Sequence, residues 1–151
     1  MRPRGFTLVA VLLLLALTGL GLAAVGPLWA QDLQRERERE LLRIGRLYAQ
    51  ALADYRDRSP GSVKQYPTSL DALVLDTRFI GVTRHLRRLY PDPLAPERPW
   101  GLQRDDSGAI TGVYSQSTAA PLQQAALDLG VVELAAAARY ADWKFAPKPR
   151  P

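Results

Sequence analysis

From Phe6 to Ala30 this chain has no ionisable side chain: FTLVAVLLLLALTGLGLAAVGPLWA. No other feature constrains the fold as strongly. At about 1.5 Å per helical residue such a run extends roughly 37 Å. A bilayer's hydrocarbon core is about 30 Å thick, so the run is long enough to cross it. It exceeds the apolar region of an ordinary secretory signal, about 7–15 residues. Small-x-small sites such as Gly21-Leu22-Ala23 or Leu22-Ala23-Ala24 are only passable for signal cleavage. Arg2 and Arg4 precede the run. By the positive-inside rule they hold the amino terminus in the cytoplasm and leave the rest of the chain on the outer side.

Roughly 120 residues follow, enough for one modest hydrophobic core. The chain contains no cysteine, which excludes disulfides and thiolate metal sites. Its one histidine, His85, argues against a multi-histidine metal site or a Ser-His-Asp triad. The net charge of +5 shrinks once Arg2 and Arg4 are assigned to targeting, leaving 18 basic against 15 acidic side chains. Such a mild excess gives no reason to expect a nucleic-acid partner.

Apolar residues continue at Leu33, Leu41, Ile44, Tyr48, Ala51 or Leu52, and Tyr55. Spacings of three and four mark one face of a helix. The expectation is a helix over 6–58, ended by Ser59-Pro60-Gly61-Ser62. Its 6–30 part is the membrane or filament-core segment and its 31–58 part an amphipathic continuation. The intervening QRERERE pairs opposite charges at i,i+3 and like charges at i,i+4, so its net gain is small. It reads as a solvated helix face, with a charged surface toward neighbouring subunits as the alternative. Pro27 removes one helical hydrogen bond and predicts a kink. Gly19, Gly21 and Gly26 fit either close helix packing or a hinge.

The globular part covers 59–146, followed by a frayed tail at 147–151. Thr68 with Asp71 three residues on has the pattern of a capping box, predicting a short helix to about Asp76. Arg78, Arg84, Arg87 and Arg88 form a basic cluster that an acidic partner or lipid headgroups could use, or that flanks Leu86 and Leu89 as solvated arginines. WGLQRDDSGAITGVYSQS predicts a β-hairpin turning at Asp105-Asp106-Ser107-Gly108, with Gly112 marking a bulge. Two aspartates and a serine suit a plain turn. Leu134 to Arg139 has helix propensity, and RYADWKF could close the sheet as a last strand. The fold class is α+β: a long amino-terminal helix on a small antiparallel sheet.

The opening RGFTL is more specific than its hydropathy. It resembles the cleavage site of type IV prepilins and type II secretion pseudopilins. There, prepilin peptidase cuts after a basic leader ending in glycine and the new amino-terminal phenylalanine is N-methylated. The resemblance implies that 1–5 is a leader, that Gly5–Phe6 is the cleaved bond and that Phe6 is the methylated residue. Thr7, Leu8 and Pro27 match the pattern of its assembly helix. Ala10 departs from it, because the family usually carries a glutamate there; the departure suggests a minor or divergent subunit. YPDPL…WGL followed by ITGVYSQS resembles the globular region of major-type pseudopilins, whose members often bind calcium near the sheet; the resemblance makes Asp105 and Asp106, adjacent oxygen donors, the calcium candidates.

The function this implies is structural: a subunit of a secretion or pilus filament, not an enzyme. Its implied partners are other pseudopilins, prepilin peptidase, an inner-membrane assembly platform and membrane lipid. Its implied place is the bacterial inner membrane, single-pass, with the amino terminus cytoplasmic and the carboxy-terminal domain periplasmic. The alternative is a binding or enzymatic domain on an ordinary anchor or behind an export signal. No G-x-S-x-G, H-E-x-x-H, phosphate loop or cysteine nucleophile supports that alternative. Scattered carboxylates such as Asp92 and Glu97 could form a general acid/base pair, but both sit among prolines and read as loop residues.

Overall fold

The computed structural model describes residues 4–149, with side chains in the first helix described for 8–18 and from 31 onward. It is α+β. Helix α1 spans Arg4–Asp57, close to the expected 6–58. The short helix α2 is Asp71–Val74. Strands β1 (Gly101–Arg104) and β2 (Ile110–Tyr114) form an antiparallel hairpin. Strands β3 (Leu127–Asp128) and β4 (Glu133–Leu134) form a shorter one. A 3-10 turn follows at Tyr140–Asp142. The chain divides into two compact units, Met1–Glu36 and Arg37–Pro151.

In the second unit, α1 packs on the hairpin through a stripe of spacing three and four. Leu41, Tyr48 and Leu52 are fully buried, and Ile44 and Tyr55 nearly so. Gly45 lies on the same stripe, where a Cβ would stand 2.3 Å from the Phe145 ring. The Tyr48 ring meets Trp100 at 5.4 Å, and Trp100 meets Phe145 edge-on at 6.5 Å. Their polar ends converge on Tyr90. Its carbonyl accepts from the Tyr48 hydroxyl (3.0 Å) and Trp100 Nε1 (2.8 Å), and its N–H donates back to the Tyr48 oxygen (2.9 Å). The proline-rich loop is thereby tied to α1 without regular structure of its own.

The hairpin turns where expected. Gly108 takes φ 82°, which costs a glycine little. The register passes from Gln103↔Gly112 to Arg104↔Ile110, so Thr111 is the extra residue of a bulge beside Gly112. Phe145 joins this sheet through a single antiparallel bridge to Val113, with N–H···O bonds of 2.8 and 3.2 Å. The expected last strand is thus reduced to one residue.

Several expectations are corrected. Thr68 does not cap α2: the helix begins at Asp71, Leu70 holds the cap position without a side-chain bond, and Leu75 is already extended. Asp76 leaves for a bridge with Thr83. The alanine-rich 134–139 stretch is not helical. Val132 and Leu134 are buried while Glu133 between them is exposed. This strand-like alternation lets packing override propensity. Nor is the tail frayed through Lys148, whose N–H donates to the Val131 carbonyl (2.8 Å) and whose Nζ pairs with Asp128 Oδ1 (2.7 Å).

The membrane placement is also corrected. Among the described residues no helix is long and apolar enough to cross a membrane. The single-pass inner-membrane assignment, with its cytoplasmic amino terminus and periplasmic domain, does not stand.

Candidate functional site

Four places were candidates for chemistry or binding. The first is the apolar run of α1. Leu8, Val9, Val11, Leu12, Leu13, Leu14, Leu15 and Leu17 are each 55–65% exposed. At about 100° per residue, Leu8, Val11, Leu12 and Leu15 lie on one side of the helix. Val9, Leu13 and Leu17 lie opposite, with Leu14 between. No side of this segment is covered. Thr18, the one described hydroxyl in this run, donates within the helix to the Leu14 and Leu15 carbonyls at 3.0 and 2.9 Å, so no side-chain polar group among residues 8–18 is left unsatisfied. Ala10 is exposed on the same segment. Gly5, Phe6, Thr7 and Pro27 lie outside the residues whose side chains are described.

The second is a buried polar knot at the end of α1. The Asp76 carboxylate is closed to solvent. Arg78 donates to it from Nε to Oδ1 (2.9 Å) and from Nη2 to Oδ2 (2.7 Å). Arg78 also donates to Ser59 Oγ (2.8 Å) and to the Tyr55 carbonyl (2.9 Å), with its guanidinium 3.5 Å from the Tyr55 ring centroid. His85 Nε2 stands 3.0 Å from Asp76 Oδ2. The Arg78 bonds, assisted by His85, hold the Asp76 carboxyl well below the usual carboxylate range.

Serine, histidine and aspartate in one cluster invite a catalytic reading, but the connections are wrong for it. The Ser59 hydroxyl bonds Tyr55, Gln65 and Arg78. A triad needs the hydroxyl on the histidine. The His85 side chain is 1% exposed, so no substrate reaches it. The knot instead closes the helix. Arg78 satisfies a carbonyl of the last turn of α1, and its charge opposes the helix dipole there. In the sequence Arg78 belongs to a basic cluster open to an acidic partner, to lipid headgroups or to a solvated role; in the structure most of its side chain is buried against Asp76 and Tyr55.

The third place was missed in the sequence. Glu38, inside the charged run, is buried. Its Oε2 accepts from the Leu122 N–H (2.7 Å) and the Tyr140 hydroxyl (2.6 Å), and its Oε1 from the Gln123 N–H (3.2 Å). One carboxylate thus anchors a long carboxy-terminal loop to α1. The signal was present: Glu38, Leu41, Gly45, Tyr48, Leu52 and Tyr55 form a single three-four stripe.

The fourth is the suspected calcium turn. Asp105 Oδ1 accepts from Ser107 Oγ (2.6 Å), the Ser107 N–H (2.9 Å) and the Ala109 N–H (3.0 Å). These bonds, that of Ser107 foremost, lower its carboxyl below the usual range. Asp106 is exposed beside it. Among the described residues no three His, Cys, Asp or Glu side chains stand close enough to share a metal. Asp92 is buried with Oδ1 on the Leu94 N–H (2.9 Å), whereas Glu97 is exposed. Glu97 lines an open cleft of about 460 Å³ with Arg98 and Ser117. Asp92 is not part of that lining, so the two carboxylates do not share a substrate pocket there.

No protein-family model, no curated protein and no solved structure matches this chain.

Proposed function

We propose that the chain is a pseudopilin-like structural subunit of a type II secretion or type IV pilus-type machine. It assembles through the apolar part of α1 into a filament with other subunits of its kind and performs no catalysis. One observation carries this reading: eight large aliphatic side chains, all more than half exposed, surround the Leu8–Leu17 segment. Burying them is worth on the order of 10 kcal/mol per subunit. A surface apolar on all sides is matched by several helices enclosing it, as in a filament core, better than by one partner. RGFTL supports the same reading, since it carries the Gly5–Phe6 bond that prepilin peptidase would cut. The buried Asp76 and Glu38 carboxylates support it too, because their hydrogen bonds tie loops to α1. Ala10 puts a methyl group where the family carries an acid, which suits a minor subunit.

The test is the mature amino terminus, read by mass spectrometry from a host that has prepilin peptidase. An N-methylated Phe6 is expected. A terminus near Ala24 or Gln31 would overturn the reading and indicate signal peptidase.

A further inference from the structure

Between Asp76 and Thr83 the chain makes a short excursion, closed by an antiparallel bridge and by the Asp76 N–H on the Thr83 carbonyl at 2.9 Å. Its base is held by Arg78, whose guanidinium is fixed to Asp76, Ser59 and Tyr55. Its apex points away from the core. Gly81 takes φ 106°, and on either side of it Ile80 is fully exposed and Val82 is 73% exposed. After Thr83 come Arg84, Arg87 and Arg88, all exposed. Arg84 and Arg87 make no side-chain hydrogen bond or ion pair among the described residues. Arg88 only overlies the Tyr90 ring, at 5.1 Å. No acidic residue occurs from Thr77 to Pro91.

A protruding isoleucine and valine on a fixed base, followed by three arginines and no acid, call for an anionic surface above an apolar layer. We propose that this loop is a peripheral contact for anionic lipid. Ile80 and Val82 enter the acyl boundary, and Arg84, Arg87 and Arg88 engage the headgroups. An acidic protein would match the charge, but it would also need a preformed socket for a fully exposed isoleucine. A lipid interface accepts such a side chain without one. The contact is independent of the filament reading and involves no membrane-crossing segment.

The absence of cysteine permits a direct test on the full chain. Ile80→Cys carries an environment-sensitive fluorophore, and Val63→Cys, at an exposed position outside the loop, is the control. Vesicles of phosphatidylcholine are compared with and without phosphatidylglycerol. Whether or not the apolar run at Leu8–Leu17 brings the chain to either vesicle, the label reports only its own surroundings. The expected result is a blue shift at position 80 on anionic vesicles alone and none at position 63. Arg→Gln changes at 84, 87 and 88 should lower the insertion equilibrium about fivefold each. Salt should weaken it as the charges are screened. No shift on anionic vesicles, an equal shift on neutral ones, or indifference to the arginine changes would overturn the proposal. A shift produced by polyglutamate but not by lipid would overturn it in favour of an acidic protein.

Discussion

Asp76 joins three segments with one carboxylate: the end of α1 through Arg78, the loop base through its own backbone, and His85. Truncating it would strand a guanidinium and an imidazole at a site largely closed to water. Breaking a buried pair costs about 3–5 kcal/mol. Arg78 keeps 21% of its side-chain surface, so Asp76→Ala should sit near the low end, about 3 kcal/mol, measured by urea unfolding at neutral pH. The pH dependence follows from the lowered carboxyl. A depressed folded value stabilises fully above the unfolded value of about 3.9 and is lost as pH falls through the folded one. Wild-type stability should therefore decline below about pH 4, and the gap to Asp76→Asn should narrow as it does. An acid limb identical in the two proteins would count against this assignment. The knot around Asp76 was hidden in the sequence because Tyr55 and Ser59 meet Arg78 only through the tertiary fold. Nothing within the TRFIGVTRHLRR stretch marks one arginine as different from the rest.

Among the elements, α1 was the most legible, because a three-four stripe is local information. The hairpin was legible for the same reason, its Asp-Asp-Ser-Gly turn lying between alternating apolar residues. The carboxy-terminal third was not. Its alanines favour helix, and its strand pairing depends on Val132 and Leu134 finding a core made by distant residues. Gly45 shows how the stripe is tuned. An exposed helical Gly→Ala change gains about 1 kcal/mol in propensity. Here the added methyl would meet the buried Phe145 ring at 2.3 Å, and overpacking costs about 1–3 kcal/mol. Gly45→Ala is therefore expected to lower stability by up to about 2 kcal/mol, measured by thermal unfolding. A gain would show that Phe145 can move aside, and the close helix–sheet approach would no longer explain the glycine. Glu38 belongs to the same stripe. Its burial was missed because a glutamate among arginines and glutamates looks solvated until the stripe is followed one step back from Leu41.

At the scale of the whole molecule the two units differ in what they complete by themselves. Arg37–Pro151 closes its own core, with Trp143, Phe145, Tyr48 and Tyr140 at or near full burial. Within Met1–Glu36, the described apolar side chains are all uncovered. A paired coiled coil would need one apolar seam, and the opposite face would then be free to carry charge. Enclosure by several neighbours leaves no such face. The two arrangements separate under single substitutions on opposite sides of the helix, Leu12→Asp and Leu17→Asp. If several helices enclose the segment, both changes should abolish concentration-dependent association in sedimentation velocity, because each buries a carboxylate without a partner. The second unit should stay folded in both variants, since its core contains neither residue. Loss of association in one variant alone would point to a two-helix seam on that side, and the filament reading would give way to a dimer.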